Sequence, residues 1–311
     1  MIQISHLRKE FDELCAVEAL DLELPDGEIF GLIGPNGAGK TTTIRMACGL
    51  LTPTVGSVYI EGVDVHAQPE RAQQFIGYLS DFFAVYEDLK VWEYLDYFAH
   101  AYKMAEAEIP GRITEVIAQV QLEVKRDAMI KGLSRGMKQR LGIARAVIHR
   151  PKVLLLDEPA SGLDPKARVD LRNLLLDLRA QGTTILISSH ILTELEGFCT
   201  SIGLMEKGRM VRSGSIESIT AEETHHRTVR AGWLAGDAAT AAVNNCLSQH
   251  VQVTNLRIVE NQAVFQYAGD EAGLAALIAA MVAAGVPVTA FGEVKQTVED
   301  LYMKISRHEV M

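Results

Sequence analysis

The residues best equipped for chemistry stand together: Gly34, Pro35, Asn36, Gly37, Ala38, Gly39, Lys40, Thr41 and Thr42. They fill the template G-x-x-x-x-G-K-[ST], which makes a phosphate cradle when it comes after a strand and opens a helix. That context is present. Ile29 to Ile33 reads as a buried strand, and Thr41 to Leu51 reads as a helix ending before Pro53. The residue types suit a triphosphate. Glycines let the backbone turn so that N–H groups face phosphate oxygens, and the helix that starts there adds the positive end of its dipole. Lys40 supplies a mobile positive charge for the β- and γ-phosphates, and the Thr41 hydroxyl is the expected Mg²⁺ ligand. A chance glycine-rich turn is the competing reading, and the fixed positions in their proper context weigh against it.

A second group of candidates lies further along. Val153 to Leu156 is a continuous apolar run, as in a strand buried on both faces of a parallel sheet, and it ends in Asp157 and Glu158. Carboxylates at that end of a strand sit where ligands bind in open α/β sheets. Asp157 is placed to hold Mg²⁺, and Glu158 to orient or deprotonate a water for in-line attack on a γ-phosphate. Thr183 to Ile187 reads as another such strand, ending in Ser188, Ser189 and His190, so a γ-phosphate contact is expected of His190. Ser134 opens a helix from Arg135 to Ile148, as a plain cap or as an anion site; the octapeptide from Leu133 to Arg140 leaves both open. Ser161 to Pro165 is a turn leading into a helix from Lys166 to Ala180.

These groups need elements to position them. The chain has 311 residues, 48% of them apolar and 23% charged, which is room and composition for one large or two ordinary soluble domains. A formal net charge of −10 argues against a nucleic-acid surface as the main partner. Cys15, Cys48, Cys199 and Cys246 are scattered and offer no metal or disulfide framework. His225 and His226 read as a solvated linker. Residues 1 to 28 alternate apolar and polar as antiparallel strands, with Phe11 in the turn. Strands are expected over Ser57 to Glu61 and Phe75 to Leu79, then a helical insertion over 85 to 150 with helices Val91 to Tyr102 and Gly111 to Val120. Ile202 to Met205 and Arg209 to Ser213 read as a strand pair. The predicted class is α/β: a P-loop core with a mixed sheet, an antiparallel β subdomain and a helical subdomain, over residues 1 to 220.

Residues 221 to 311 read as a small α+β domain. Strand Arg227 to Trp233, helix Asp237 to Gln249, strands Val251 to Val259 and Ala263 to Tyr267, helix Glu271 to Ala284 and strand Val286 to Phe291 make a ferredoxin-like βαββαβ order. A final helix is expected over Thr297 to Arg307. The uncharged stretch Gly273 to Phe291 is broken by Pro287, and Leu274, Leu277, Ile278, Met281 and Val282 fall on one helix face, so a soluble helix is expected rather than a span. A membrane process would then need a channel from another chain.

Taken together, the motifs resemble the ATP-binding subunits of ABC transporters over roughly residues 1 to 220. Beyond the phosphate loop they are Ile76 to Asp81, Leu133 to Arg140, Val153 to Pro159, Ser161 to Pro165 and Ser188 to His190, in the family's order. The resemblance implies an ATPase using ATP and Mg²⁺, with Phe11 stacked on adenine, Glu158 as general base and His190 as γ-phosphate switch. It implies a head-to-tail dimer in which Ser134, Gly136 and Asp164 serve the partner's nucleotide. It further implies a separate membrane permease, docked near residues 82 to 104, and a place on the inner face of the cell membrane. The variant signature, Leu133 to Arg140, and the phrase from Ser188 to Glu196 are similar to bacterial export-type subunits. A soluble ABC-type ATPase that remodels a macromolecule is the alternative. Three positions depart from the family. Asp81 stands where Gln is usual, able to reach Mg²⁺ yet repelled by phosphate; Arg135 and Met137 stand where Gly and Gln are common, Arg135 near the triphosphate or merely solvated. The C-terminal domain is expected to serve regulation or dimer support.

Overall fold

A computed structural model describes residues 1–195, 197–221 and 227–293. They fall into two compact units, divided between Ile216 and Glu217. The final helix expected at Thr297 to Arg307 and the pair His225 and His226 lie outside the described residues.

The first unit begins with β1 (Ile2–Phe11) and β2 (Leu14–Leu24), paired antiparallel with Ile2 opposite Leu24 and Ile4 opposite Leu22. The alternating apolar residues face inward and the polar ones outward. Next come β3 (Ile29–Ile33), α1 (Lys40–Ala47), β4 (Val55–Ile60), β5 (Val63–Asp64), α2 (Pro69–Ala72) and β6 (Ile76–Leu79). The first sheet runs β2-β1-β4-β5. Helix α1 stops at Ala47, short of the expected Leu51. Gly49 takes the left-handed conformation (φ +77°), and the Leu50 N–H turns back to the Arg45 carbonyl at 2.9 Å. An alanine at position 49 would strain that stop.

Three helices form the insertion: α3 (Val91–Ala101), α4 (Ile109–Gln119) and α5 (Arg135–Val147). Ser134 caps α5, its Oγ accepting from the Met137 N–H at 3.3 Å. The other end of α5 is closed by buried Arg112, whose Nε donates to the Ile148 carbonyl at 2.8 Å and whose Nη2 donates to the Val147 carbonyl at 2.5 Å. The Val147 carbonyl also accepts from the Arg150 N–H at 3.0 Å, and the guanidinium supplies a donor to the Ile148 carbonyl just past the helix end.

The core sheet is completed by β7 (Val153–Leu156), β8 (Thr184–Ser189), β9 (Ser201–Glu206) and β10 (Arg209–Ser215), with α6 (Pro165–Ala180) crossing between β7 and β8. Its order is β10-β9-β3-β8-β7-β6, parallel except for β10. Every residue of β3, β7 and β8 is buried, which is why these segments read as unbroken apolar runs. The register sets Ile33 beside Ser189, Ile187 beside Leu156, and Leu156 beside Leu79. The strands β3, β8, β7 and β6 therefore end together, and the loops that leave them meet at one edge. Helix α7 (Ile216–Ala221) comes next.

The second unit holds β11 (Arg227–Trp233), α8 (Asp237–Ser248), β12 (Val253–Val259), β13 (Gln262–Tyr267), α9 (Glu271–Ala283) and β14 (Val288–Glu293). Its antiparallel sheet runs β12-β13-β11-β14, a ferredoxin-like order. Val229, Trp233, Val243, Leu247, Phe265, Tyr267, Leu277 and Met281 form its core. Three details depart from the periodicity. Val282, expected on the buried face of α9, is 57% exposed. Val251, expected to open β12, is exposed and precedes the strand. Val286 is buried in the turn after Gly285 rather than in β14.

Candidate functional site

The loop after β3 depends on what its glycines lack. A Cβ on Gly34 would collide with the Met205 carbonyl oxygen, and one on Gly39 (φ +102°) would meet the Ala16 carbonyl oxygen at 2.5 Å. Only glycine lets the loop pass this close to the neighbouring backbone. The Gly34 N–H donates to the Ser189 carbonyl at 3.3 Å, tying the loop to the end of β8. Lys40 is 5% exposed and folds back over the loop. Its Nζ donates to the Gly34 carbonyl at 2.7 Å and the Pro35 carbonyl at 3.2 Å, and lies 3.3 Å from Glu158 Oε1. Asn36, Gly37, Ala38, Gly39, Lys40, Thr41 and Thr42 line a cavity of about 490 Å³. Phe11, Asp81 and Glu158 share it. Phe11 ends β1 instead of lying in the turn, because Leu14 pairs with it across the hairpin; it is 44% exposed, with Lys9 Nζ 5.0 Å from its ring centre.

The acidic pair is held by hydroxyls. Asp157 is 2% exposed, and its Oδ1 accepts from Ser188 Oγ at 2.7 Å and Thr41 Oγ1 at 3.1 Å. Ser188 Oγ also accepts from the Glu158 N–H at 3.0 Å. Glu158 itself sits in the left-handed region (φ +50°), a strained conformation for a glutamate, of the kind found where a site over-determines its backbone. Its side chain is nearly enclosed. Oε1 faces Lys40, and Oε2 accepts from His190 Nδ1 at 2.7 Å and from the His190 N–H at 3.3 Å. His190, expected against a γ-phosphate, therefore makes its contact with Glu158. Asp81 faces the same acids. Partial burial, and the Asp157 and Glu158 carboxylates beside it, push its carboxyl above the usual range.

Ser134, Gly136 and Asp164 do not join this cavity. Ser134 is an exposed cap, and Asp164 caps α6, its Oδ1 accepting from the Ala167 N–H at 2.8 Å. A Cβ on Gly136 would meet Ala167 Cβ at 3.4 Å, so the start of α5 lies against the start of α6. Arg135 is exposed but not merely solvated: its Nη2 donates to the Ser161 carbonyl at 2.9 Å. Two further residues escape a reading of the sequence. Ser188 links both acids, and its only signal is a hydroxyl at the end of an apolar strand. The Glu194 side chain is 2% exposed, accepts from Ser189 Oγ at 2.8 Å and lies 3.4 Å from Arg168 Nη2; an acid four residues after His190 is its signal.

The same arrangement of elements occurs in known proteins. The family model described as ABC transporter matches residues 17–161. The Nod factor export ATP-binding protein I of Cupriavidus metallidurans is 36% identical over 223 residues, covering 72% of this chain and 74% of that protein. A solved structure of an ATP-binding subunit of an ABC transporter is 32% identical, with a TM-score of 0.66 over 71% of this chain and 92% of that one. A dimeric structure of a post-hydrolysis ATP-binding cassette holding ADP and Pi is 25% identical, with a TM-score of 0.63 over 69% of this chain and 98% of that one.

Proposed function

We propose a working cycle from one premise: the chain belongs to the ABC transporter family, as an ATP-binding subunit and ATPase. ATP enters the 490 Å³ cavity with its adenine on Phe11 and its phosphates over the loop. Lys40 then leaves the Gly34 and Pro35 carbonyls for the β- and γ-phosphate oxygens, which frees Glu158 Oε1. Glu158 orients the attacking water and takes its proton as the water oxygen bonds to the γ-phosphorus and the β–γ bridge breaks. His190 holds the opposite carboxylate oxygen and keeps Glu158 aimed. The observation that carries this reading is the convergence of Lys40 and His190 on the two oxygens of one nearly buried glutamate.

The site suits Mg²⁺. Thr41 Oγ1 and Asp157 Oδ1, 3.1 Å apart, are hard oxygen donors, and the crowding of Asp81 with Asp157 and Glu158 is what a divalent cation relieves. Thr41, Asp157 and Asp81 would hold it directly or through water, and when bound it would neutralise phosphate charge.

Two copies act head to tail, each presenting Ser134, Gly136 and Asp164 to the other's γ-phosphate. Their position outside their own phosphate cavity supports this, as does the dimeric form of the 25% identical cassette. Nucleotide binding and hydrolysis thereby close and release the pair. The pair drives a separate permease at the inner membrane face, in the direction of export. Supporting this, no helix among the described residues is long and apolar enough to cross a membrane, and exposed Phe82, Tyr86 and Tyr97 offer a docking face. The export-named relative supports the direction. In the test, Glu158→Gln binds ATP, accumulates as a dimer by light scattering and loses turnover, while Lys40→Ala loses nucleotide binding. Wild-type turnover in Glu158→Gln would remove the assigned base. Co-purification with a membrane protein from the native host tests the permease.

A further inference from the structure

Arg135 is the third residue of the signature Leu133 to Arg140, where Gly is common, and its guanidinium reaches across to a different loop. Nη2 donates to the Ser161 carbonyl at 2.9 Å. The plane of the group lies against Gly162, where a Cβ would collide with Cζ and Nη1. Gly162 takes φ +66°, so the turn both needs a glycine and gains from it the flat surface the guanidinium uses. The same turn is tied to the acid: the Ser161 N–H donates to the Glu158 carbonyl at 3.1 Å. Glu158 is strained at φ +50°, so a small shift of the turn changes the direction of its side chain. Arg135, Ser161, Glu158 and Asp81 line one cavity of about 430 Å³.

We propose that Arg135 is a positioning residue for Glu158, clasping the Glu158–Ser161 turn to the start of its own signature helix. The proposal rests on the reading of Glu158 as general base. Because Ser134 is the adjacent residue, the clasp joins the helix end that meets the partner's nucleotide to the base that acts on the chain's own. Engagement of one site then sets the geometry of the other. Arg135 touches neither nucleotide nor water in this scheme.

The test uses full-length protein. Arg135→Ala is expected to lower kcat about tenfold, the loss of one charge-assisted hydrogen bond, with KM for ATP within about twofold. Arg135→Lys, which keeps one donor, is expected to recover part of kcat. Thermal stability without nucleotide should match wild type, since the side chain is exposed. In a Glu158→Gln background, Arg135→Ala should leave ATP-dependent dimerisation intact. Unchanged kcat in Arg135→Ala overturns the proposal. So does loss of dimerisation in the double variant where Glu158→Gln alone dimerises, because Arg135 would then be contacting the nucleotide. If Glu158→Gln itself never dimerises, the head-to-tail reading fails, and the kcat and KM of Arg135→Ala and Arg135→Lys still decide the clasp.

Discussion

At the scale of single residues, the chemistry of this chain is a problem of placing negative charge. Asp81 and Glu158 line one cavity with buried Asp157 close by, and partial burial and these two carboxylates push the Asp81 carboxyl above its usual range. Ionising it costs the empty protein stability at neutral pH, since a carboxyl whose folded value is raised loses stability as pH rises through the ordinary range. Asp81→Asn should therefore raise the melting temperature of the nucleotide-free protein, by a few degrees at most. The same change should shrink the further rise on adding Mg·ATP, if Asp81 serves the metal; calorimetry with and without Mg·ATP checks both. Ser188→Ala should lower turnover, because Asp157 loses a 2.7 Å donor and the Glu158 N–H loses its acceptor. A single buried hydrogen bond lost in this way costs about 1–3 kcal/mol. Which residue types do the work is legible in the sequence, since the phosphate loop, the two acids and His190 announce themselves by type and spacing. Their pairing is not. The joining of Ser188 to Asp157, and of His190 to Glu158, comes from the register of β7 and β8, which no local pattern encodes. The reach of Arg135 to Ser161 depends on the path of a loop 26 residues away.

Elements are legible where burial is two-sided or caps are explicit. β3 and β7 have the bounds their apolar runs suggest, and α5 starts one residue after its serine cap. They are misread where a single glycine ends the pattern early, as at Gly49, or where an apolar residue serves a turn, as at Val286. β5 and α2 are too short for periodicity to show. The seam between α5 and β6 yields a pH prediction. His149 stacks on Tyr102, ring centres 3.7 Å apart, and its Nε2 donates to the Ile76 carbonyl at 3.0 Å. Burial pushes its imidazole down from 6.5 to about 4. The unfolded chain therefore binds this proton at a pH where the fold does not. Stability is full above about 6.5 and falls as pH drops toward about 4. Urea unfolding at pH 7.5 and 5 should show that loss, and His149→Gln should flatten it. Arg112→Ala should cost about 1–3 kcal/mol by leaving the Ile148 carbonyl unmet, while the Val147 carbonyl keeps the Arg150 N–H at 3.0 Å.

At the scale of the molecule, the chain divides into two compact units, and the second has a core of its own around Phe265, Tyr267 and Met281. No step of the proposed hydrolysis uses a residue beyond His190. Removing the chain after residue 220 should therefore leave nucleotide affinity near wild type, while altering the strength of pairing if the second unit supports it; equilibrium binding and sedimentation separate the two.

The separation of Ser134, Gly136 and Asp164 from the phosphate cavity has an arithmetic consequence. If each catalytic centre needs contributions from two polypeptides, a solitary copy is inert, and rate per milligram falls on dilution once most molecules are unpaired. A membrane partner that gathers two copies side by side would then raise output through local crowding alone, before any change in shape.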